Sequence, residues 1–308
     1  MDSLDIKIMR ELMTGEAYSV FIYPRKPLRT IARKLGIDKD TLRNRIKRFR
    51  GKGLLLGWSA NANPNLLGVR MTTLLFNVPS PSSKPDAIRK IKLIPGVFLI
   101  DDFYGNSMTV SLYYETDESL KKTTELVSRI SNTESLLRFD THYPGCSISL
   151  TKTDWNIIRS LQKNPGKPYG QLAAELGLSS RTVKRRLSRL IEGMALGVIP
   201  NFNMKAIDGT LVNMPVSYSS PKQNREASEK ILGRFDGRLV RADLTGENHA
   251  CFNLIITNVA ETEDISKWMD EQSGITSYRI DLVQNHLEMW DAFHELIERK
   301  LGQIQVLA

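Results

Sequence analysis

Residues Leu28–Asn63, LRTIARKLGIDKDTLRNRIKRFRGKGLLLGWSANAN, decide how the chain is read. At a period of 3.6 they give a short helix, a turn and a second helix. Ile31 and Leu35, spaced i, i+4, form the inner face of the first, and Gly36 stands where a left-handed residue ends a helix. Asp38 is placed to cap the next helix, its carboxylate accepting from the exposed amides of the first turn. That second helix buries Leu42, Ile46 and Phe49, spaced i, i+4, i+7, and turns Lys39, Arg43, Asn44, Lys47 and Arg50 outward. The pattern is a helix-turn-helix with a basic second helix. Gly53 ends it, and Leu54–Asn61 is expected to form a short hairpin, a wing.

Outward from this stretch, the composition is that of a globular protein: 308 residues, 41% hydrophobic and 25% charged. No apolar run approaches the roughly 18 residues of a membrane span, and the N-terminal MDSLDIKIMRELM has no signal-peptide layout, so a cytoplasmic location is expected. Cys146 and Cys251 form no metal spacing and are expected as buried free thiols in strands. The net charge of +9 is unevenly spread. Arg25–Lys52 holds twelve Lys/Arg against Asp38 and Asp40, a net +10, and Lys167–Glu192 holds six against Glu175 and Glu192, a net +4, which leaves −5 elsewhere. Cationic surface gathered into two segments implies an anionic polymer as partner.

The second basic segment is a copy of the first. Pro27-Leu28-x-x-Ile31-Ala32-x-x-Leu35-Gly36-Ile37 aligns with Pro168-Tyr169-x-x-Leu172-Ala173-x-x-Leu176-Gly177-Leu178, and Thr41, Arg45, Ile46 and Arg48 with Thr182, Arg186, Leu187 and Arg189. After one deletion Leu56-Gly57, Asn61 and Asn63 match Leu196-Gly197, Asn201 and Asn203. Asp5-x-x-Ile8-x-x-x-Leu12 matches Asp154-x-x-Ile157-x-x-x-Leu161, each a first helix. The first copy has a longer connection, Thr14–Lys26, whose run Tyr18–Tyr23 could form a strand or a covering loop. Each unit precedes a strand-helix-strand-strand-helix-strand pattern. In the first copy these are Val69–Val78, Pro85–Ile94, Val97–Phe103, Met108–Tyr114, Asp117–Ile130 and Leu136–Tyr143. In the second they are Leu211–Ser219, Arg225–Phe235, Leu239–Leu244, Ala250–Thr257, Thr262–Gln272 and Ile275–Val283, with Gly246 in the central hairpin. A last helix carries the stripe Leu287, Trp290, Phe293, Ile297 and Leu301, expected to pack on its own domain or on a second chain. The fold class is α+β: two winged helix-turn-helix domains (1–63 and 150–204) alternating with two ferredoxin-like βαββαβ domains (64–149 and 205–308).

This combination resembles the Lrp/AsnC family of transcription regulators, present twice in tandem. The resemblance rests on Asp2-x-x-Asp5-x-Lys7-Ile8, on Ile31-Ala32-x-x-Leu35-Gly36-Ile37 leading to Thr41-Leu42-x-x-Arg45-Ile46, and on Gly53-x-Leu55-x-Gly57-Trp58-x-Ala60 running into Asn63-Pro64-x-x-Leu67-Gly68. The second unit matches through its helices, Leu172–Leu190, more loosely beyond them. The resemblance implies ferredoxin-like domains that pair subunits, as a homodimer or within the fused chain, and that hold a small-molecule effector. Where the family usually carries an aspartate after the hairpin glycine, this chain has Met108 and His249. A second resemblance is to sirohaem decarboxylases built on the same tandem fold, through Lys26-Pro27-Leu28, Lys167-Pro168-Tyr169 and the position of His249.

The expected function is sequence-specific binding of double-stranded DNA by a transcription regulator, with two winged helices in successive major grooves about 34 Å apart. Arg43 and Asn44 suit guanine and adenine edges. Lys39, Lys47 and Arg50 suit phosphates, and Asp40 shares their helix. Ser180, Arg181, Lys184 and Arg185 hold the like positions in the second unit. Arg45 and Arg186 either join them or brace the fold through carboxylates. Because the two recognition helices differ, the site should be an imperfect palindrome, with the more basic first unit dominating affinity. The alternatives are the tetrapyrrole enzyme and a nucleoid-associated architectural protein. His142, His249, His286 and His294 show no ligand spacing, Asp101-Asp102 are expected to be solvated or capping, and no phosphate loop, nucleophile elbow, metal motif or cofactor motif is present.

Overall fold

Two three-helix units form where the repeat places them. The computed structural model describes residues 1–13, 28–244, 247–289 and 291–306. The Thr14–Lys26 connection with its Tyr18–Tyr23 run, Pro27, Gly246 and Trp290 lie outside them. The first unit is α1 (Ser3–Met13), α2 (Leu28–Lys34) and α3 (Lys39–Gly51), and the second is α6 (Lys152–Lys163), α7 (Tyr169–Leu176) and α8 (Ser180–Glu192). Gly36 and Gly177 take φ of 66° and 65° at the turns, the left-handed geometry that the absence of Cβ permits. The end of α3 uses Gly53 at φ 68°, but the aligned residue after α8 is Met194, held at φ 57°.

Each unit is followed by one strand, β1 (Leu55–Ala62) or β6 (Leu196–Phe202). The expected hairpin wing does not form. Instead β1 and β6 pair with each other, antiparallel. An isolated edge strand leaves a row of unpaired amides and carbonyls, and here each unit's strand supplies the other's partner. Gly57 aligns with Gly197 in the repeat but pairs with Asn201, and Asn61 aligns with Asn201 but pairs with Gly197. Ser59 and Ile199, which align, are also paired. A local twofold therefore passes through the middle of this ladder.

The ferredoxin-like halves are β2 (Arg70–Asn77), α4 (Lys84–Ile91), β3 (Val97–Phe103), β4 (Ser107–Tyr114), α5 (Asp117–Ser131) and β5 (Ser135–Thr141), and then β7 (Thr210–Tyr218), α9 (Pro221–Arg234), β8 (Leu239–Leu244), β9 (His249–Ile256), α10 (Glu261–Asp270), β10 (Ile275–Tyr278) and β11 (Asp281–Glu288). The strand expected over Ile275–Val283 breaks after Tyr278 and runs on to Glu288. Its continuation changes the architecture. Asp281 and Leu282 pair with β7, and Val283–Glu288 then pair with β3 of the first half, giving the order β5-β2-β4-β3-β11-β7-β9-β8 in one sheet. Leu287 is thus a strand residue, and the last helix, α11 (Asp291–Val306), carries the stripe only from Phe293 onward.

Polar groups pin the seam. Asp101 and Asp102 are not solvated. Asp102 is 7% exposed, accepts from Asn285 at 2.9 Å and lies 2.7 Å from the Lys84 ammonium in an ion pair, while Asp101 meets His286 Nδ1 at 2.5 Å. Glu288 lies 3.2 Å from the other imidazole nitrogen. Burial alone would lower the His286 pKa, but Asp101 and then Glu288 outweigh it and push the value up to about 10.

Packing is crossed between halves. The first helical unit shares a core with the second ferredoxin-like half: Ile8, Met9, Leu42 and Phe49 cluster with Leu211, Val240 and Ile255, joined by Phe202 of β6. Arg10 and Lys7 reach Asp236 at 2.7 and 2.5 Å, and Lys52 reaches Asp208 at 2.7 Å. The second unit shares a core with the first half, and α11 lies between them, with Phe293, Ile297 and Leu301 among Trp155, Ile158, Phe98 and Tyr113. The stripe therefore packs on α6 and the opposite half's sheet. Cys251 sits in β9, its thiol donating to Asn213 Oδ1 at 3.0 Å, whereas Cys146 lies in irregular chain; both are half-buried free thiols.

Crossed cores predict that fragments 1–149 and 150–308, expressed together, co-purify as one complex, and that each alone is aggregation-prone or unfolded by circular dichroism. Met194→Gly should stabilise the chain by about 0.5–1 kcal/mol in denaturant melts, because relief of left-handed strain exceeds glycine's added unfolded-state entropy.

Candidate nucleic-acid interface

The recognition helices are built alike. Asp38 caps α3, accepting from the Asp40 and Thr41 amides at 2.9 and 2.7 Å, and the bond from the Thr41 hydroxyl is the largest cause of its lowered pKa. Ser179 caps α8, accepting from the Thr182 amide at 3.1 Å. Leu42, Ile46 and Phe49 anchor the inner face of α3, and Val183 and Leu190 that of α8.

A buried aspartate on each first helix sets the rotation of the recognition helix. Asp5, with a side chain 3% exposed, accepts from Arg45 at 2.8 Å and from Arg48 at 2.5 Å. Asp154, 0% exposed, accepts from Arg186 at 2.9 Å and from Arg189 at 2.6 Å. Of the two roles open to Arg45 and Arg186, bracing is the one the geometry shows, and Arg48 and Arg189 share it. Burial would raise the Asp154 pKa, but bonds from the Thr151 amide and hydroxyl and the two guanidiniums outweigh it and hold the carboxyl below its usual range.

All ten sequence-predicted residues, Lys39, Asp40, Arg43, Asn44, Lys47, Arg50, Ser180, Arg181, Lys184 and Arg185, are exposed on the outer faces of α3 and α8. Their electrostatic states differ. Arg43 lies 2.5 Å from Asp40, one turn back, an exposed pair that solvent screens. Among the described residues Lys39, Lys47 and Arg50 have no carboxylate within ion-pair range, nor do Arg181, Lys184 and Arg185. Arg29 and Arg33 on α2 are equally free and exposed. The sequence reading passed over these two, although a first helix that crosses the phosphate backbone was grounds to include them. Lys34, Arg45, Arg48 and Lys52 are spent on Glu11, Asp2, Asp5 and Asp208. The large difference in formal segment charge thus shrinks to five unpaired cations against three among the described residues.

Comparison with known proteins identifies both helical units. Residues 1–50 match the family model of the AsnC-type helix-turn-helix domain, and residues 150–193 match that of the winged helix-turn-helix DNA-binding domain. The HTH-type transcriptional regulator Ptr1 of Methanocaldococcus jannaschii is 31% identical over 157 residues, which span 49% of this chain and 90% of that protein. The HTH-type transcriptional regulator LrpA of Pyrococcus horikoshii is 29% identical over 103 residues, 30% of this chain and 68% of the relative. The chain belongs to the Lrp/AsnC family of transcription regulators, in a form with two helix-turn-helix units. In fold it is similar to the siroheme decarboxylase NirDL in complex with an iron-uroporphyrin III analogue, with a TM-score of 0.58 at 14% identity over 99% of both chains. No helix among the described residues is long and apolar enough to cross a membrane.

The Asp154 clamp predicts a pH signature. A depressed folded-state pKa contributes stability that is present above about pH 4 and lost as pH falls through the folded value. Asp154→Asn should therefore cost about 2–3 kcal/mol at pH 7, its two guanidiniums being partly solvated, and the deficit should shrink below about pH 4 in denaturant melts.

Proposed function

We propose that this chain is a transcription regulator that binds double-stranded DNA sequence-specifically, with both recognition helices of one molecule on one operator. One observation carries the reading: two exposed, cation-bearing recognition helices flank a strand ladder whose register is centred on a local twofold. That symmetry matches a pseudo-palindromic duplex. A single fused chain then supplies what a dimer of one-unit relatives supplies with two.

Within each site the roles separate by chemistry. Arg43 offers a planar fork for guanine O6/N7, and Asp40 holds that fork beside Asn44, which suits adenine N6/N7. Lys39, Lys47, Arg50, Arg29 and Arg33 act on phosphates. On α8, Ser180, Arg181, Lys184 and Arg185 carry no acidic neighbour in the first turn, so the operator is an imperfect palindrome. We also propose a small-molecule effector at the ferredoxin-like domains.

The decarboxylase reading draws its support from likeness of fold, which hosts unrelated functions. His249, its candidate functional histidine, lies 3.0 Å from Ser217 Oγ and edge-on to Phe139 of the opposite half. A change in sirohaem absorbance with stoichiometric protein would favour it nonetheless. An architectural role would show as equal affinity for any duplex.

The deciding measurement is duplex binding against salt, with the operator taken from in vitro selection. Lys47→Ala should lower the slope of log K against log salt by about 1 and leave base preference intact. Arg43→Ala should cost about 1–3 kcal/mol and relax preference at one base pair. Lys184→Ala with Arg185→Ala should cost less than Arg43→Ala with Lys47→Ala. Wild-type affinity in all of these variants would refute the interface.

A further inference from the structure

The two halves of the continuous sheet face each other across a cavity, and the facing side chains are polar where sheet-on-sheet cores are ordinarily apolar. On β4, Met108, Val110 and Leu112 turn to the helices, while Thr109 and Ser111 turn to the cavity. On β9, Phe252 and Leu254 turn away, while Cys251 and Asn253 turn in. The space has two lobes that share Asp101, Ser111, Arg241 and Asn253: one of about 60 Å³ at Thr109 and Cys251, and one of about 160 Å³ at Met71 and His286, room for a small molecule of on the order of ten non-hydrogen atoms.

Its charges are not equally satisfied. Asp101 and Glu288 both face the cationic imidazole of His286. Arg241 is held more loosely: Nη2 is 3.5 Å from Asp243 Oδ2, and the buried Nε has no hydrogen-bond partner. A buried guanidinium N–H left open is costly and calls for an acceptor. Asn253, the register partner of Arg241, makes no side-chain hydrogen bond among the described residues. Planar guanidinium donors beside an open carboxamide form a carboxylate seat. Beside the hydroxyls of Thr73, Ser111 and Thr141, the lining carries an apolar wall that includes Met71, Phe98, Leu99, Phe202, Leu211 and Val240.

We propose that this cavity binds a small carboxylate with an apolar body, the carboxylate on Arg241 and Asn253. An additional ammonium group is disfavoured, because Asp101 and Glu288 are already engaged by His286. Ile199, Pro200 and Phe202 of β6 also line the cavity, and β6 is half of the ladder that joins the helix-turn-helix units. Occupancy therefore bears on that ladder and shifts DNA affinity; this second clause rests on the DNA-binding reading above, whereas the site itself does not.

Calorimetric titration of the full chain tests both. The probes share one carbon skeleton: 4-methylpentanoate, its uncharged amide, and leucine. The carboxylate should bind saturably, with the amide and leucine at least about tenfold weaker. Arg241→Met should weaken carboxylate binding about 10- to 100-fold, the loss expected for a charge-assisted pair. Asn253→Leu, which keeps Arg241, serves as the second variant and should weaken it several-fold. Equal affinity for carboxylate and amide, no binding at millimolar carboxylate, or wild-type affinity in a folded variant overturns the site, and tighter binding of leucine overturns the ligand class. Carboxylate that binds but leaves duplex affinity unchanged overturns the coupling alone. Carboxylate binding without any duplex binding refutes the DNA reading and leaves the site standing.

Discussion

An edge strand cannot leave its amides and carbonyls unpaired without inviting a partner, and this chain meets that constraint twice by pairing its own halves. The strand after the first helix-turn-helix has no mate in its unit and finds one after the second, in a register centred on Ser59 and Ile199. The edge of the first ferredoxin-like sheet is then covered by β11 from the second. These two ladders and the crossed cores make the relative placement of the recognition helices a property of hydrogen-bond register, with no flexible linker deciding it.

Charge is organised by the same division. A buried aspartate on each first helix engages two arginines of its recognition helix, and the fully buried Asp154 is the stronger case. Removing one partner from such a cluster strands the others, so the clamp supplies definition of geometry as much as stability. The cations it leaves over are exposed and have no carboxylate within ion-pair range. They carry little weight in the fold, and they are the ones free to exchange counterions for phosphates. Formal charge in the sequence overstated the contrast between the units because seven of the first unit's twelve described cations are ion-paired within the protein.

The polar lining between the sheets belongs to neither economy. It adds nothing to the helix-turn-helix surface, yet it sits beneath the strand that joins the two units. A fold shared with a decarboxylase and with regulators shows how little the architecture alone assigns. The functional reading rests instead on where open groups lie: unpaired cations on α2, α3 and α8 outside, and Nε of Arg241 within.

Local rules were legible in the residues. The 3.6-residue spacing, the Asp38 cap, Gly36 and the copied motif placed all six helix-turn-helix helices and the exposure of Arg43, Asn44, Lys184 and Arg185, because each signal acts over a few residues along the chain. The strand-helix-strand-strand-helix-strand pattern placed the ferredoxin-like strands within a residue or two at most ends. Tertiary structure decided what those signals do not encode: which strand pairs with β1, that β11 crosses to β3, that each helical unit packs on the opposite half, and that Arg45 braces the first helix while Arg43, two residues earlier, stays on the exposed face. A strand's hydrogen-bonding edges look the same to any partner, and a salt bridge across forty residues depends on how two helices come to lie against each other. Choices of that kind are made only when the whole chain has collapsed around its cores.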